Sequence, residues 1–587
     1  MKNLFNNLNK QQIDAVKSET NTLVVACPGS GKTQVLTRKV AYELQRLNNT
    51  KQRILALTHT NVAADEIADR IEQLDIPTEQ LWSGTIHAFC LEWILRPFAG
   101  YCEVTRYGFK VAEPVIFDDL INREQEHNVK KFKPYDFKSR LDLNGSFIET
   151  DPNKKQILTN IFSILRGQGY LTFDDILYQS YCLLRNHTFI AKSLARLFRW
   201  VCVDEYQDTQ ELQYEILHQI VRASVGKTTI FYVGDPNQLI FHGLGGFAKS
   251  EKELSEAIQS KVQTLVLQGN YRSTQRLIDL YQNFQVQIEP IPITAHSHYA
   301  TESGNIFYHN DINYNELPKF IAEKIKHYIE LGIPMEEICV IAPQWWLLSR
   351  ISRAILEHLT DIQLNAPGIS PLPRNLDNFW FKVARLALTE PCPKTSRSRL
   401  RWANELLREI GSSYQLPSSI QNGQNLLSIV NRIRPIEEDG LLYLKSFFDR
   451  FECLTQIPFS EISYFAEAKE QLLKAAEKRK YEDDYEHIPK DIDSFRRMFQ
   501  PRRGVFVSSC HGVKGEEYEV VIAFGCLEDY LPNWSEKHDR NISKRMLYVM
   551  VSRAKRYIHL ISEKNRQKNG YIKYPTKELL NLDFEFD

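Results

Sequence analysis

The sequence predicts an α/β protein built of two cores, each interrupted by an inserted, mainly helical subdomain. Three observations carry this expectation. The apolar run 21–26 (Asn-Thr-Leu-Val-Val-Ala) leads straight into a glycine-rich turn, Cys27-Pro28-Gly29-Ser30-Gly31-Lys32-Thr33. Such a turn between strand and helix aims backbone N–H groups and a helix N-terminus at phosphate. Far downstream, residues 201–210 read Val-Cys-Val-Asp-Glu-Tyr-Gln-Asp-Thr-Gln, an apolar run turning abruptly acidic, as a buried parallel strand does when it delivers carboxylates to the carboxyl edge of a sheet. A second series of strand signals then follows at 306–308, 338–341, 505–507, 520–524 and 557–561.

At 587 residues the chain is too long for one core and should form about three to five domains or subdomains. A content of 43% hydrophobic and 25% charged residues is that of an ordinary globular protein. The 73 basic residues equal the 73 acidic ones, so any nucleic-acid groove must be basic locally rather than globally. Ten scattered cysteines without a Cys-x-x-Cys pair argue against a zinc or iron–sulfur centre and fit a reducing compartment. The first twelve residues are polar, and no stretch approaches a membrane span, so the expectation is a cytoplasmic protein without membrane contact.

Taken in order, residues 8–12 open a helix ahead of the first strand. In the turn that follows this strand, Lys32 brings charge to terminal phosphates and the Thr33 hydroxyl offers a magnesium ligand. Residues 54–61 (Ile-Leu-Ala-Leu-Thr-His-Thr-Asn) form a second strand ending in small polar residues, and 84–89 (Gly-Thr-Ile-His-Ala-Phe) end another. Side by side on one sheet edge, these ends form a strip suited to a nucleic-acid backbone. The long interval 90–197 exceeds what a compact core needs, so it contains an inserted subdomain, with Thr172 or Asp174 capping a helix. At the acidic strand end, Asp204 can help hold Mg²⁺ while Glu205 orients and deprotonates a water. A further strand, 229–234, ends in Asp235-Pro236-Asn237-Gln238, where Gln238 can sense a γ-phosphate, and the flexible loop 239–246 carries Phe241. A second α/β unit begins over 265–273, and a second helical insertion lies between the proline cluster at 367–373 and the prolines at 489–501, with an amphipathic run at 462–480.

Together these stretches resemble the UvrD/Rep family of superfamily 1A DNA helicases. The matching segments fall in the family's order: Gln12, 26–33, 58–61, 84–89, 203–209, 233–238, 270–273, 511–518 and 547–555. The resemblance implies two RecA-like P-loop cores, 1–90 with 195–266 and 267–370 with 500–587, and helical insertions at 91–194 and 371–499. It also implies ATP and Mg²⁺ as cofactors, held by Pro28, Gly29, Ser30, Gly31, Lys32, Thr33 and Asp204. Gln12 would read the adenine edge, Tyr271 would stack on its face and Glu517 would contact the ribose. Gln238 would couple phosphate state to movement, while Arg272 and Arg553, from the second core, would clamp the γ-phosphate as arginine fingers. DNA would meet Thr58, His59, Asn61, His87, Phe241, His242 and His511. By the same resemblance the chain is an ATP hydrolase and helicase with 3′-to-5′ polarity, acting on single-stranded and duplex-junction DNA.

Several positions depart from the family pattern. Ala26 stands at the usual first glycine of the loop, and His59 replaces a phenylalanine. Gly243 and Leu244 stand where an aromatic and an arginine normally follow, so Phe241 is the main stacking candidate left in that loop and His242 a weaker one. The chain is also similar in size and in its Pro-Gly-Ser-Gly-Lys-Thr loop to small helicases encoded beside an ATPase–nuclease in Gabija-type anti-phage systems. That likeness implies a nuclease partner, a role in antiviral defence and weak unwinding by the isolated chain.

Overall fold

The computed structural model describes residues 4–112, 114–126, 131–240, 245–287, 290–359, 362–366, 372, 378–393, 395–481, 490–499, 504–533, 539, 541–568 and 570–587. They divide into two compact units, Met1–Ile362 with Val505–Asp587, and Gln363–Gly504.

The larger unit contains two parallel sheets. The first, preceded by the helix α1 (Lys10–Lys17), uses β1 (Thr22–Ala26), β2 (Arg53–Thr58), β3 (Leu81–Thr85), β4 (Phe198–Asp204), β5 (Thr229–Gly234) and β6 (Gln263–Leu267), in the spatial order β3-β2-β4-β5-β1-β6. Its central strands, β1, β2, β4 and β5, are nearly continuous apolar runs because both faces are covered. Alternation still sorts the side chains. Ile54, Ala56, Trp200 and Cys202 join one cluster with Val35 and Leu36 of α2 (Lys32–Leu44) and Ile67 and Ile71 of α3 (Asn61–Glu72). Leu55, Leu57, Val201 and Val203 point the other way, into a cluster with Phe89, Ile94, Phe162 and Leu183. The helices of the interval 91–194 therefore extend one face of the sheet and share its core. In that interval Thr172, rather than Asp174, caps the helix Phe173–Asn186, completing a reciprocal pair with Asp175.

One boundary expectation is corrected. The first three residues of the segment 265–273 belong to the first core, because Gln263–Leu267 pairs in parallel with β1, from Thr22↔Gln263 to Ala26↔Leu267, and completes the first sheet, whereas Ser273 Oγ donates to Ala554 O in the second core. Within the larger unit the second sheet contains β7 (Asn305–His309), β8 (Ile338–Ala342), β9 (Val505–Ser509), β10 (Tyr518–Ala523) and β11 (Ala554–Ile561), ordered β7-β11-β10-β8-β9 with parallel pairings. After the second insertion the chain returns to the sheet with residue 506 beside residue 339 (Cys339↔Phe506).

The smaller unit is helical. Phe379–Leu388, Ser396–Ser413, Gly423–Arg432, Gly440–Thr455 and Ser463–Tyr481 pack around Trp380, whose ring lies against Phe448 and Phe459. Its buried indole N–H donates to the Phe465 carbonyl at 2.7 Å. The expected insertion 371–499 falls within this unit, and the amphipathic run 462–480 is its last long helix. Among the described residues no helix is long and apolar enough to cross a membrane.

Candidate functional site

The phosphate-type turn joins β1 to α2 at the carboxyl edge of the first sheet. Gly29 and Gly31 both take positive φ, 68° and 79°, and each is also closely approached. A Cβ on Gly31 would come within 2.9 Å of Gln12 Nε2, and one on Gly29 within 2.8 Å of Arg272 Cβ. Gly31 caps α2 without a side chain, which leaves the N–H groups of the helix's first turn facing outward. Lys32 and Thr33 are its first two residues. Ser30 Oγ donates to the Cys27 carbonyl at 2.7 Å and tightens the bend. Ala26, at the position of the family's first glycine, is the last residue of the strand and fully buried, so no left-handed turn is required there.

β4 ends at Asp204, and Glu205 follows in the left-handed conformation, φ 48° and ψ 46°. A non-glycine residue held there stores strain of the kind that clusters at functional sites. Its carboxylate lies 3.8 Å from Lys32 Nζ and 3.6 Å from Lys514 Nζ, and accepts from Gln207 Nε2. Burial pushes the Glu205 carboxyl up, but Lys32, Lys514 and the Gln207 hydrogen bond outweigh it and hold the group well below the usual carboxylate range. Burial and then the Glu205 charge push Asp204 the other way. Gln207 in turn accepts from the Asp235 N–H at 3.1 Å, tying the acidic turn to the end of β5.

Across the cleft, Arg553 follows α4 (Ile542–Val551) and is 1% exposed. It donates to Val549 O at 3.0 Å, Glu516 O at 3.2 Å and, in the first core, Gln238 Oε1 at 3.2 Å. Gln238 itself donates to Asp235 Oδ2 at 2.8 Å. Burial and then the nearby Arg272 pull the Arg553 guanidinium down to about 10, still charged at neutral pH. Arg272 is engaged with Glu517 at 2.8 Å and with Ser552 O at 2.7 Å, so the residue expected at the ribose and one expected at the γ-phosphate here pair with each other. Tyr271 is 43% exposed, with one face on His296 and its hydroxyl accepting from Asn9 Nδ2 at 2.6 Å. Gln12 is buried, accepting from the Asn9 N–H and donating to Ser30 O, both at 2.9 Å.

Lys514 is the residue that the sequence reading passed over. It pairs with Asp208 and Glu205 and donates to Gln238 O at 3.0 Å, bridging the two cores. Burial opposes its charge, and Asp208 and then Glu205 restore it, for a net upward shift. Removing one partner of a buried pair leaves the other uncompensated, at about 3–5 kcal/mol. Lys514→Ala should therefore destabilise the larger unit by that order in chemical denaturation, and Asp208→Asn in the same chain should recover part of the loss. A Lys514→Ala midpoint equal to wild type would show that the bridge is not stabilising.

Of the residues expected at DNA, Thr58 is the register partner of Thr85 on the neighbouring strand, which leads into His87. Thr58 is buried and bonded to the Thr60 carbonyl, His59 is exposed, and Asn61 opens α3. His87 packs edge-on against Phe173 and is neutral, since burial and then His59 pull its imidazole down to about 4. His511, just past β9, reaches Ile240 O at 3.3 Å. Phe241 and His242, with Gly243 and Leu244, lie outside the described residues.

The pocket's chemistry suits a nucleotide with a hard cation. An open helix start, two glycines that admit no side chain and a lysine would cradle phosphates, while a hydroxyl (Thr33) and a carboxylate (Asp204) are oxygen donors of the kind Mg²⁺ takes alongside phosphate and water. Residues 8–259 match the model of the UvrD/REP helicase N-terminal domain, and residues 504–561 that of the UvrD-like helicase C-terminal domain, together more than half of the chain. The chain is 23% identical to the ATP-dependent DNA helicase PcrA of Staphylococcus aureus, over 97% of this chain and 85% of the relative. The PcrA of Staphylococcus epidermidis shows the same identity and the same two coverages.

Proposed function

The chain belongs to the UvrD/Rep family of superfamily 1A DNA helicases, which hydrolyse ATP, and from that premise we propose that it translocates 3′-to-5′ on single-stranded DNA and separates strands at a duplex junction. The observation that carries the reading is the bond between Arg553 of the second core and Gln238 of the first, beside Glu205 and Lys32. It supports a site that is complete only when the cleft is closed, so that ATP favours closure and phosphate release permits opening.

In this reading, Lys32 and the N–H groups of the turn bind the terminal phosphates. Mg²⁺ held by Thr33 and Asp204 would offset charge on the phosphate oxygens. Glu205, oriented by Gln207, Lys32 and Lys514, takes a proton from the attacking water. Arg553 meets the γ-phosphate together with Arg272, once Arg272 exchanges its pairing with Glu517 for the nucleotide. Tyr271 offers its outer face to adenine, and Gln12 the base edge. Gln238, bonded both to Asp235 and to Arg553, passes phosphate state between the cores. The strip of Thr58, His59, Asn61, His87 and His511, with Phe241 and His242, takes the DNA. The cysteine usage fits a cytoplasmic setting.

Strand displacement on 3′-tailed and 5′-tailed duplexes, with ATP and Mg²⁺, tests the polarity: only the 3′-tailed substrate should be opened, and opening of only the 5′-tailed one would overturn it. A second reading is favoured by Gly243 and Leu244 in the coupling loop. There the chain is the DNA-stimulated ATPase or DNA-end sensor of an anti-phage nuclease complex, and displacement becomes robust only when a genomically neighbouring nuclease is added.

A further inference from the structure

At the carboxyl edge of the second sheet, β8 runs into Pro343-Gln344-Trp345-Trp346-Leu347-Leu348. The two leucines are buried, at 2% and 0% exposure, and anchor the helix Trp346–Leu356. The two tryptophans before them turn outward, at 62% and 49% exposure. Large indoles left in water cost free energy that a purely structural turn would not need to spend. The turn is nonetheless fixed, because Gln344 Nε2 donates to Tyr530 O at 3.2 Å and Trp346 leans on the buried Tyr530 ring at 5.5 Å.

Its place in the fold suggests what the indoles meet. Ala342, the last residue of β8, is the register partner of Ser509, and the Cys510 N–H donates to Ala342 O at 2.8 Å. The tryptophan turn and the turn carrying His511 therefore leave the same edge side by side. Cationic charge is at hand: Lys568 Nζ lies 5.6 Å from the Trp346 ring centre and donates to the backbone Asp529 O at 2.8 Å, whereas the neighbouring Arg566 and Lys573 are paired with Glu563 and Asp529. Aromatic faces interleaved with cations are the composition that holds single strands, bases stacking on rings while phosphates meet the charges.

We propose that Trp345 and Trp346 form a base-stacking platform for single-stranded DNA at the carboxyl edge of the second sheet. The proposal deepens the translocase reading and rests on it. Stacking is sequence-tolerant because every base has a π-face, so the platform grips any sequence, as a motor moving along a strand requires.

The test compares binding of a fluorescent oligo-dT and an abasic oligonucleotide of equal length to the full chain. Trp345→Ala should weaken dT binding by roughly 5- to 150-fold while leaving abasic binding, melting temperature and DNA-free ATPase unchanged, and Trp345→Phe should retain most of the affinity. Trp346→Ala should do the same, and where its contact with Tyr530 lowers the melting temperature, Trp345→Ala alone decides. Wild-type dT affinity in Trp345→Ala, as expected of a protein-docking surface, overturns the platform, as does an equal loss on dT and abasic strands. If wild type itself neither binds dT nor shows DNA-stimulated ATPase, the translocase reading fails as well. If wild type does both and the variants match it, only the platform fails.

Discussion

Glu205→Gln is expected to stop ATP turnover while leaving nucleotide binding intact. The substitution preserves shape and keeps a carbonyl that can accept from Gln207, but removes the charge that would receive a proton from water. A positioned general base contributes about 10²–10⁴ in rate, so kcat should fall by at least that factor. Binding should not fall with it. Lys32 and Lys514 lie 3.8 Å and 3.6 Å from the Glu205 carboxylate, and neutralising that carboxylate removes a competitor for Lys32 while Lys514 stays paired with Asp208. Lys32→Ala provides the contrast, because it removes a phosphate contact and should weaken binding and turnover together. Phosphate release and titration with a fluorescent ATP analogue separate the two outcomes. Turnover within a few-fold of wild type in Glu205→Gln would take Glu205 out of the mechanism.

The features legible in the sequence were those with a local signature. The acidic strand end combines an apolar run with adjacent carboxylates, and the phosphate turn combines spaced glycines with Lys32 and Thr33, so each declares both its fold position and its chemistry. The cap at Thr172 was narrowed to two residues because helix starts are encoded within four positions. Non-local features left no such trace. Gln263–Leu267 is a half-exposed edge strand, and nothing within it says whether β1 or a later strand will pair with it. Lys514 is 306 positions from Asp208, and a lone lysine in a glycine-containing turn looks solvated until the partner is brought to it. The outward turn of Trp345 and Trp346 was equally hidden, since four consecutive apolar residues read as core. Only the helix phase set by Leu347 and Leu348 separates the buried pair from the exposed one.

Arg553→Ala should lower kcat steeply and leave single-stranded DNA affinity nearly unchanged. Its guanidinium is held by Val549 O, Glu516 O and Ser552 Oγ on its own core, and by Gln238 on the other. None of these belongs to the strip expected at DNA, so the grip on the strand does not depend on it. The charge, however, is buried against the acidic edge of the first core. Its hydrogen bonds go to neutral acceptors, and the Glu205 and Asp235 carboxylates favour its charge only through space, so a directly bonded countercharge would offset more of the cost of burying it. The arriving γ-phosphate would supply that countercharge, and because the arginine is already fixed by its own core, little reorganisation is needed as negative charge develops. Arginine fingers contribute about 10³–10⁵ in rate in related phosphoryl transfer, and a loss of that order is expected here. Arg553→Lys should recover little, because an ammonium cannot reproduce the forked contact to Gln238 and phosphate together. Steady-state ATPase with saturating oligonucleotide, beside anisotropy on the same strand, checks both halves. A normal kcat with collapsed DNA binding would place Arg553 in the DNA path instead of at the phosphate.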